Sequence, residues 1–180
     1  MDLEIPDTAR QAAVLVLLYM QSQHWRIVLI ERKHLLKDKH AGQVSFPGGK
    51  RESFDESYEN CALRETSEEI GIIPTEVFTL GRLSPIYIPV SNNLVIPVVG
   101  LHSGIPTFQL NPAEVQCVIT ISLNTLMNKD IIKRKDMLVR SNIQLKDVPY
   151  FSIEPFTIWG ATAMILSEFI HIIGESKNKG

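Results

Sequence analysis

Two apolar runs of strand length stand near the start of the chain, AAVLVLLYM over 12–20 and WRIVLIER over 25–32, divided by the polar QSQH. Runs this short between polar residues read as buried strands, and the pair as a hairpin. A basic segment, KHLLKDKHAGQVSFPGGK, follows and closes in a Pro-Gly-Gly turn. The apolar spacing then becomes helical. SFDE offers a capping box with Ser53 as N-cap and Glu56 three residues on, and Asp55 is a rival N-cap. Gly71 after Ile70 is the expected stop, and Pro74 prevents continuation. VFTLGRLSPIYIPV and LVIPVVGLH read as strands around an SNN turn, and their prolines place them at sheet edges or bulges. VQCVITISL is a further strand, NTLMN a short helix, and IIKRKDMLVR and IQLKDVPYFSI weaker strands. IWGATAMILSEFIHII is a terminal helix, apolar around most of its circumference and therefore buried. The pattern predicts one α/β (α+β) domain over 1–180, with helices packed on a mixed sheet.

The central helix carries an electrostatic problem. At 3.6 residues per turn, Tyr58, Cys61, Ala62, Glu65 and Glu69 share one stripe, and Leu63, Thr66 and Ile70 another. An apolar row thus runs into two carboxylates at i and i+4, with Glu68 beside them. Like charges at that spacing cost an isolated helix roughly 0.2–0.5 kcal/mol, and the helix C-terminus disfavours negative charge. Between Gly49 and Gly71 three basic residues face seven acidic ones, a local charge of −4. A solvated acidic face is the plainer account of such a helix. A hard divalent cation is the other, since oxygen-only ligands suit Mg²⁺ or Mn²⁺.

Composition narrows the setting. Hydrophobic residues make up 44% of the 180 and charged residues 21%, so a globular core is expected. A net charge of −2 gives no general basic footprint for nucleic acid or an anionic membrane. The opening MDLEIPDTARQ lacks the pattern of a leader peptide. The longest apolar run is too short to span a bilayer. Cys61 and Cys117 make no disulfide framework, and a reducing cytoplasm is the expected setting. Cys61 has no neighbouring base and is expected to pack.

GGKRESFDESYENCALRETSEEIGI, over about 49–72, resembles the Nudix box, a loop–helix–loop of glycine, a spaced acid, Arg-Glu, Glu-Glu and glycine. Gly49, Arg64, Glu65, Glu68, Glu69, Gly71 and Ile72 match. Counting back from Arg64 places the spaced acid on Glu56 and the box glycine on Lys50; counting forward from Gly49 places the acid on Asp55. The loop is one residue longer than in the common box. The resemblance implies a Nudix-type α/β/α sandwich and a divalent-metal-dependent hydrolase of a diphosphate linkage, using Mg²⁺ or Mn²⁺. Glu65 and Glu69 are then the leading metal ligands, Glu68 a ligand or base, and Arg64 an orienter of carboxylates.

Outside the box, GQVSFPGGK and IWGATA resemble the coenzyme A pyrophosphatase branch, as do the longer loop and SPIYIPVSNNLVIPVVG. That branch cuts coenzyme A to 3′,5′-ADP and 4′-phosphopantetheine. Gly42, Phe46, Pro47, Gly48 and Gly49 keep the last part of its upstream signature. Asp38 stands where that signature has arginine, and Lys33 where it has serine. Arg32, Lys37 and Lys39 supply local positive charge for substrate phosphates; a solvated basic loop is the alternative. His34 and His40 lack the spaced partners of a metal site. Glu114, in NPAEV, is a candidate downstream carboxylate or a plain loop acid. Tyr150 and Trp159 could stack on an adenine, although core packing is expected for Trp159. The partner expected is a small nucleoside diphosphate derivative, coenzyme A before a dinucleotide, nucleotide sugar or ADP-ribose, and a homodimer is left open. A non-catalytic binding module of the same fold would be marked by loss of box glutamates, and all three are present.

Overall fold

The computed structural model describes residues 5–33, 42–139 and 143–177. Its strands are β1 (Arg10–Gln21), β2 (His24–Arg32), β3 (Val44–Ser45), β4 (Gly48–Lys50), β5 (Val77–Arg82), β6 (Ile86–Ile88), β7 (Asn93–His102), β8 (Val115–Ser122), β9 (Ile132–Val139), β10 (Ile143–Ile153) and β11 (Phe156–Ile158). Helix α1 spans Tyr58–Ile70, α2 Leu123–Leu126 and α3 Gly160–Lys177. The first eight strands form one mixed sheet, and β9–β11 form a second, antiparallel one.

The long strand β1 organises the larger sheet. It runs parallel to β7 from Arg10↔Asn93 to Leu18↔Leu101. On its other side its second half pairs with β2, Leu18↔Ile27 to Gln21↔His24, through a turn in which Ser22 and Gln23 both have positive φ. Its first half pairs instead with β4, Ala13↔Gly49 and Val14↔Gly48. Side chains along a strand alternate between faces, and this alternation divides the core in two. Ala13, Leu15, Leu17 and Tyr19 pack with Cys61, Ala62 and Ile70 of α1. Val16 and Leu18 pack on the other face with Ile165, Leu166 and Phe169 of α3. The result is the expected α/β/α sandwich with a mixed sheet.

Three local expectations change. Helix α1 begins at Tyr58, and its N-cap is Ser57, whose hydroxyl accepts from the Asn60 amide at 3.1 Å. Neither Ser53 nor Asp55 caps it; Asp55 folds back to accept the Glu52 amide at 2.8 Å. The segment VFTLGRLSPIYIPV divides into β5 and β6, and β7 lies inside the sheet between β1 and β5 rather than at an edge. Pro97 is tolerated there because the Pro97 carbonyl accepts from Leu83, and backbone N and C=O of one strand residue face the same side. The missing N–H therefore falls where β5 gives way to β6. The two strands expected to be weak, β9 and β10, are long and pair from Ile143↔Val139 to Phe151↔Ile132 around a bulge.

Gly71 ends α1 as expected, with φ 74° and its amide on the Ser67 carbonyl. In a chemical-denaturation comparison, Ser57→Ala should lose about 1 kcal/mol, whereas Ser53→Ala should stay near wild type. The reverse order would place the cap at Ser53.

Candidate active site

The site forms where β4 meets the last two turns of α1. Gly48 has φ 143°, and a Cβ there would lie 2.3 Å from the Ala13 carbonyl oxygen and 2.5 Å from Val14 Cα. Only glycine lets β4 approach β1 so closely. The Gly48 amide then points at α1 and donates to Glu69 Oε2 at 2.8 Å. Next along β4, a Cβ on Gly49 would lie 2.2 Å from Glu65 Oε2. The first glycine thus positions one carboxylate, and the second leaves room for the other.

Glu69 is 2% exposed. Its Oε1 takes a long contact, 3.4 Å, from Arg32 Nη1 at the end of β2. Burial raises the Glu69 carboxyl to about 7, against the opposing pull of the Gly48 amide and Arg32; Glu65 and Glu114 push in the same direction as burial. Glu65 is also raised, chiefly by burial, with Glu68 and Glu114 adding to it and Arg64 opposing it. A buried carboxylate, Glu69, and a partly buried one, Glu65, thus stand near each other with too little positive charge around them.

Arg64 orders the flank. Its Nε and Nη2 each donate to Asp55 at 2.9 Å, a bidentate pair. Its Nη1 lies 2.8 Å from Glu65 Oε1 and 3.2 Å from Glu68 Oε1, and Nη2 also reaches the Lys50 carbonyl. The Arg64 hydrogen bonds, above all, hold the Asp55 carboxyl down at about 2. Of the two candidate spaced acids, Asp55 is therefore the buried partner of Arg64, and Glu56 is exposed, giving only its backbone carbonyl to Arg51. Glu68 is 58% exposed, with Arg64 as its ion-pair partner.

The C-terminal carbonyls of α1 find backbone donors just ahead of Glu114, at residues that sequence reasoning did not single out. Gln109 donates to the Ile70 carbonyl and Asn111 to that of Glu69. The side chain of Asn111 makes a turn with the Ala113 amide and reaches Glu114 Oε1 at 3.1 Å. Lys33 closes the segment from β2, its amide on the Glu114 carbonyl and its ammonium on that of Pro112. This brings Glu114 within electrostatic reach of Glu65 and Glu69. The Asn-Pro pair in NPAEV was the available signal, an Asx turn ahead of an acid.

Other candidates fall elsewhere. Phe46 is a core residue, 2% exposed, and its side chain does not reach the site. Pro47 is buried and gives its carbonyl to Leu15 at 2.8 Å. Lys37, Lys39, His34 and His40 lie outside the described residues. Cys61 is buried, as expected, and burial lifts its thiol to about 11. Trp159 is half-buried and lines a cleft, contrary to the core position expected of it.

Among the described residues no three His, Cys, Asp or Glu side chains converge closely enough to surround an ion by themselves. The donor set nonetheless suits a hard cation of the Mg²⁺ type, which binds through one or two carboxylates and completes its shell with water and substrate phosphate. Glu65, partly buried, and Glu69, buried, offer such a pair, and it is electrostatically undercompensated.

Comparison with known proteins decides the family. The model of the NUDIX domain matches residues 9–136. The chain belongs to the Nudix hydrolase family. Its relatives include the uncharacterized Nudix hydrolase NudL of Photorhabdus laumondii, 32% identical over 91% of this chain and 85% of that protein. NudL of Salmonella paratyphi B is 34% identical over 92% and 83%. Solved structures share the fold. The C. elegans Ap4A hydrolase, a binary complex, superposes with a TM-score of 0.55 at 18% identity, over 64% of this chain and 81% of that one. The NUDIX domain of Shewanella oneidensis NrtR, complexed with ADP ribose, gives 0.51 at 20%, over 71% and 81%. Nudix hydrolases act on diphosphate linkages and generally use divalent metal ions, so the carboxylate pair on α1 stands in the Nudix box of an enzyme.

The two box glycines should separate experimentally. Gly48→Ala meets rigid backbone and should cost roughly 2–6 kcal/mol of stability. Gly49→Ala meets only the mobile end of Glu65, so it should melt near wild type while losing activity. Equal melting temperatures for the two variants would refute this division. The raised Glu69 carboxyl also fixes a pH dependence. Its stabilising contribution is present below the ordinary value of 4.5 and is lost as pH rises through about 7. The ceiling is about 3 kcal/mol at 1.36 kcal/mol per unit. Metal-free protein should therefore lose melting temperature across that window, Glu69→Gln should flatten the fall, and added Mg²⁺ should oppose it.

Proposed function

We infer that this Nudix hydrolase cleaves the diphosphate of coenzyme A, giving 3′,5′-ADP and 4′-phosphopantetheine, with Mg²⁺ or Mn²⁺ as cofactor. The observation that carries the hydrolytic part is the pair of partly buried Glu65 and buried Glu69, held against the Gly48–Gly49 backbone with raised carboxyl pKa values. A divalent ion at such a pair acidifies bound water and offsets charge on phosphoryl oxygens. Glu69 and Glu65 would hold the ion, and the Gly48 amide and Arg32 fix Glu69. Arg64 keeps Glu65 and Glu68 aligned through its anchor on Asp55. Glu68, the exposed member of the three, is placed to accept a proton from the attacking water. Glu114, tethered by Asn111, adds a carboxylate at the same opening.

The choice of coenzyme A rests on GQVSFPGGK before the box and IWGATA after it. Lys37 and Lys39 are the proposed cationic contacts to the 3′-phosphate, with Arg32 turned toward Glu69. A second reading, hydrolysis of another nucleoside diphosphate derivative, is favoured by Asp38 standing where the branch signature has arginine. Lysine lacks the bidentate fork of arginine, so the substitution changes how a phosphate is held. Catalysis in the cytoplasm by a homodimer is compatible with either reading. Among the described residues no helix is long and apolar enough to cross a membrane.

The deciding experiment compares kcat/KM for coenzyme A, dephospho-coenzyme A and ADP-ribose at fixed metal and salt. Coenzyme A should lead. A charge-assisted phosphate contact of roughly 1.5–3 kcal/mol corresponds to about ten- to a hundredfold over dephospho-coenzyme A. Neutralising Lys37 and Lys39 together should close that gap and spare dephospho-coenzyme A. Glu65→Gln should abolish turnover of all three while remaining folded. Faster cleavage of ADP-ribose would replace the first reading by the second, and wild-type turnover by Glu65→Gln would remove the hydrolytic site from α1.

A further inference from the structure

An apolar concavity lies on the face of the larger sheet that α3 covers, away from the carboxylates. Side chains alternate along a strand, so Leu18 and Met20 of β1 continue the row that Val16 begins on the α3 side. Met20 pairs with Trp25 across the hairpin. Leu18, Trp25, Leu80, Leu101, Leu123 and Ile173 wall a cavity of about 410 Å³ where the hairpin, β5, β7, α2 and α3 come together. Its polar lining is Gln23, His24 and Asn124, and among the described residues no Asp, Glu, Lys or Arg lines it.

Beside this cavity the fold leaves large apolar side chains in solvent. Phe78 of β5 is 70% exposed and pairs with Leu101, one of the cavity walls. Leu80, itself a wall, is 56% exposed, and Met20 and Trp25 are exposed on the hairpin. At roughly 200 Å² for a large side chain, the exposed parts of these four come to about 400 Å² before the cavity walls are counted. A homodimer interface of ordinary size covers about 800 Å² on each partner, about 65% of it apolar. The exposed row and the walls together reach that amount.

The form of the face selects its occupant. Among the described residues β5 pairs only with β7, which leaves it an edge strand. An edge invites an added peptide strand, but the register of β5 breaks between Thr79 and Gly81, and a bulge there interrupts the ladder that such a strand needs. Side chains are therefore what the face offers. Walls without charge lack the steering by which unlike partners select one another, and they match the charge-depleted centre of a homodimer. The face also holds both halves of a contact, since Phe78 projects next to a cavity with room for a phenyl ring. A two-fold axis passing between ring and cavity sets each Phe78 over the cavity of the other copy.

We propose that this face is the interface of a homodimer in which Phe78 of each copy fills the cavity of the other. Sedimentation velocity of the full chain from about 1 to 100 µM, a range suited to an interface of this size, should show monomer passing to dimer. The chain has two tryptophans, so Trp159→Phe leaves Trp25 as the sole fluorophore. Its emission should move to shorter wavelength over the same range, as the partner excludes water from it. Phe78→Asp puts a charge into the contact twice per dimer and should weaken association at least a hundredfold. Hydrolytic activity per chain should be unchanged, because Phe78 stands on the sheet face away from α1. Val90→Asp, at an equally exposed position beyond the other end of β7, should associate as wild type does. If Phe78→Asp does not fold, Phe78→Ala should still weaken association about tenfold. A wild-type chain that remains monomeric at about 100 µM would overturn the proposal, including one that binds phospholipid vesicles or a different protein through this face. So would association that the Phe78 variants leave intact, association that Val90→Asp weakens equally, or a dimer that forms with no change in Trp25 emission.

Discussion

The hydrogen bond from the Gly48 amide to the Glu69 carboxylate joins the sheet to the helix, and the site is built outward from it. It requires β4 to lie against β1 closer than any side chain permits, and so requires glycine at 48. It requires the last turn of α1 to stand over that contact, which Gly71 and the donors from Gln109 and Asn111 secure. Glu65 one turn earlier then comes against Gly49, where a Cβ would displace its carboxylate. Glu69 is buried, and Glu65 partly buried beside it, as a consequence of backbone packing. Their repulsion is the cost, and it is the property that makes the site receptive to a divalent ion.

Arg64 works on a different part of the same problem. A guanidinium shared by Asp55, Glu65 and Glu68 cannot neutralise three carboxylates, but it can orient them. The bidentate bond to Asp55 fixes its plane, and the low pKa of Asp55 keeps that anchor charged across the range in which Glu69 titrates. Farther along the helix a second aromatic–cation cluster steadies the first turn. The guanidinium carbons of Arg51 and Arg82 lie 4.9 and 5.0 Å from the centre of the Tyr58 ring, and Arg82 also pairs with Glu59 at 2.7 Å.

Much of this was legible in the sequence, for identifiable reasons. The stretches 12–20 of β1 and 27–30 of β2 are apolar at every position because both faces of the sheet are covered, so their existence was plain. The glutamate stripe was readable because helical periodicity is a local property. The N-cap was misplaced because Ser53 and Ser57 both precede acceptable partners, and only the fold of the intervening loop onto Arg64 chooses between them. Pro97 pointed to an edge because a missing N–H was counted without knowing that the neighbouring strand breaks opposite it. Phe46 looked like part of a binding loop because it stands two residues before Gly48, yet it lies between β3 and β4 and packs into the core. Asn111 and Glu114 come to the site from more than forty residues away; the sequence singled out Glu114 as a candidate, but the role of Asn111 in closing the helix end depends on a non-local contact.

The parallel pairing of β1 with β7 has a consequence for how the enzyme comes into being. Arg10 is partnered with Asn93, and the helix end is closed by Gln109 and Asn111. During synthesis, a nascent chain that has just completed the box has neither. The charged helix therefore waits, its last carbonyls without donors and its carboxylates in water, until some forty further residues have emerged. Non-local pairings of this kind slow folding and leave early intermediates with unpaired strand edges. The carboxylate arrangement proposed to gather a metal thus forms late in biogenesis, after the framework of the sheet and not as a nucleus for it.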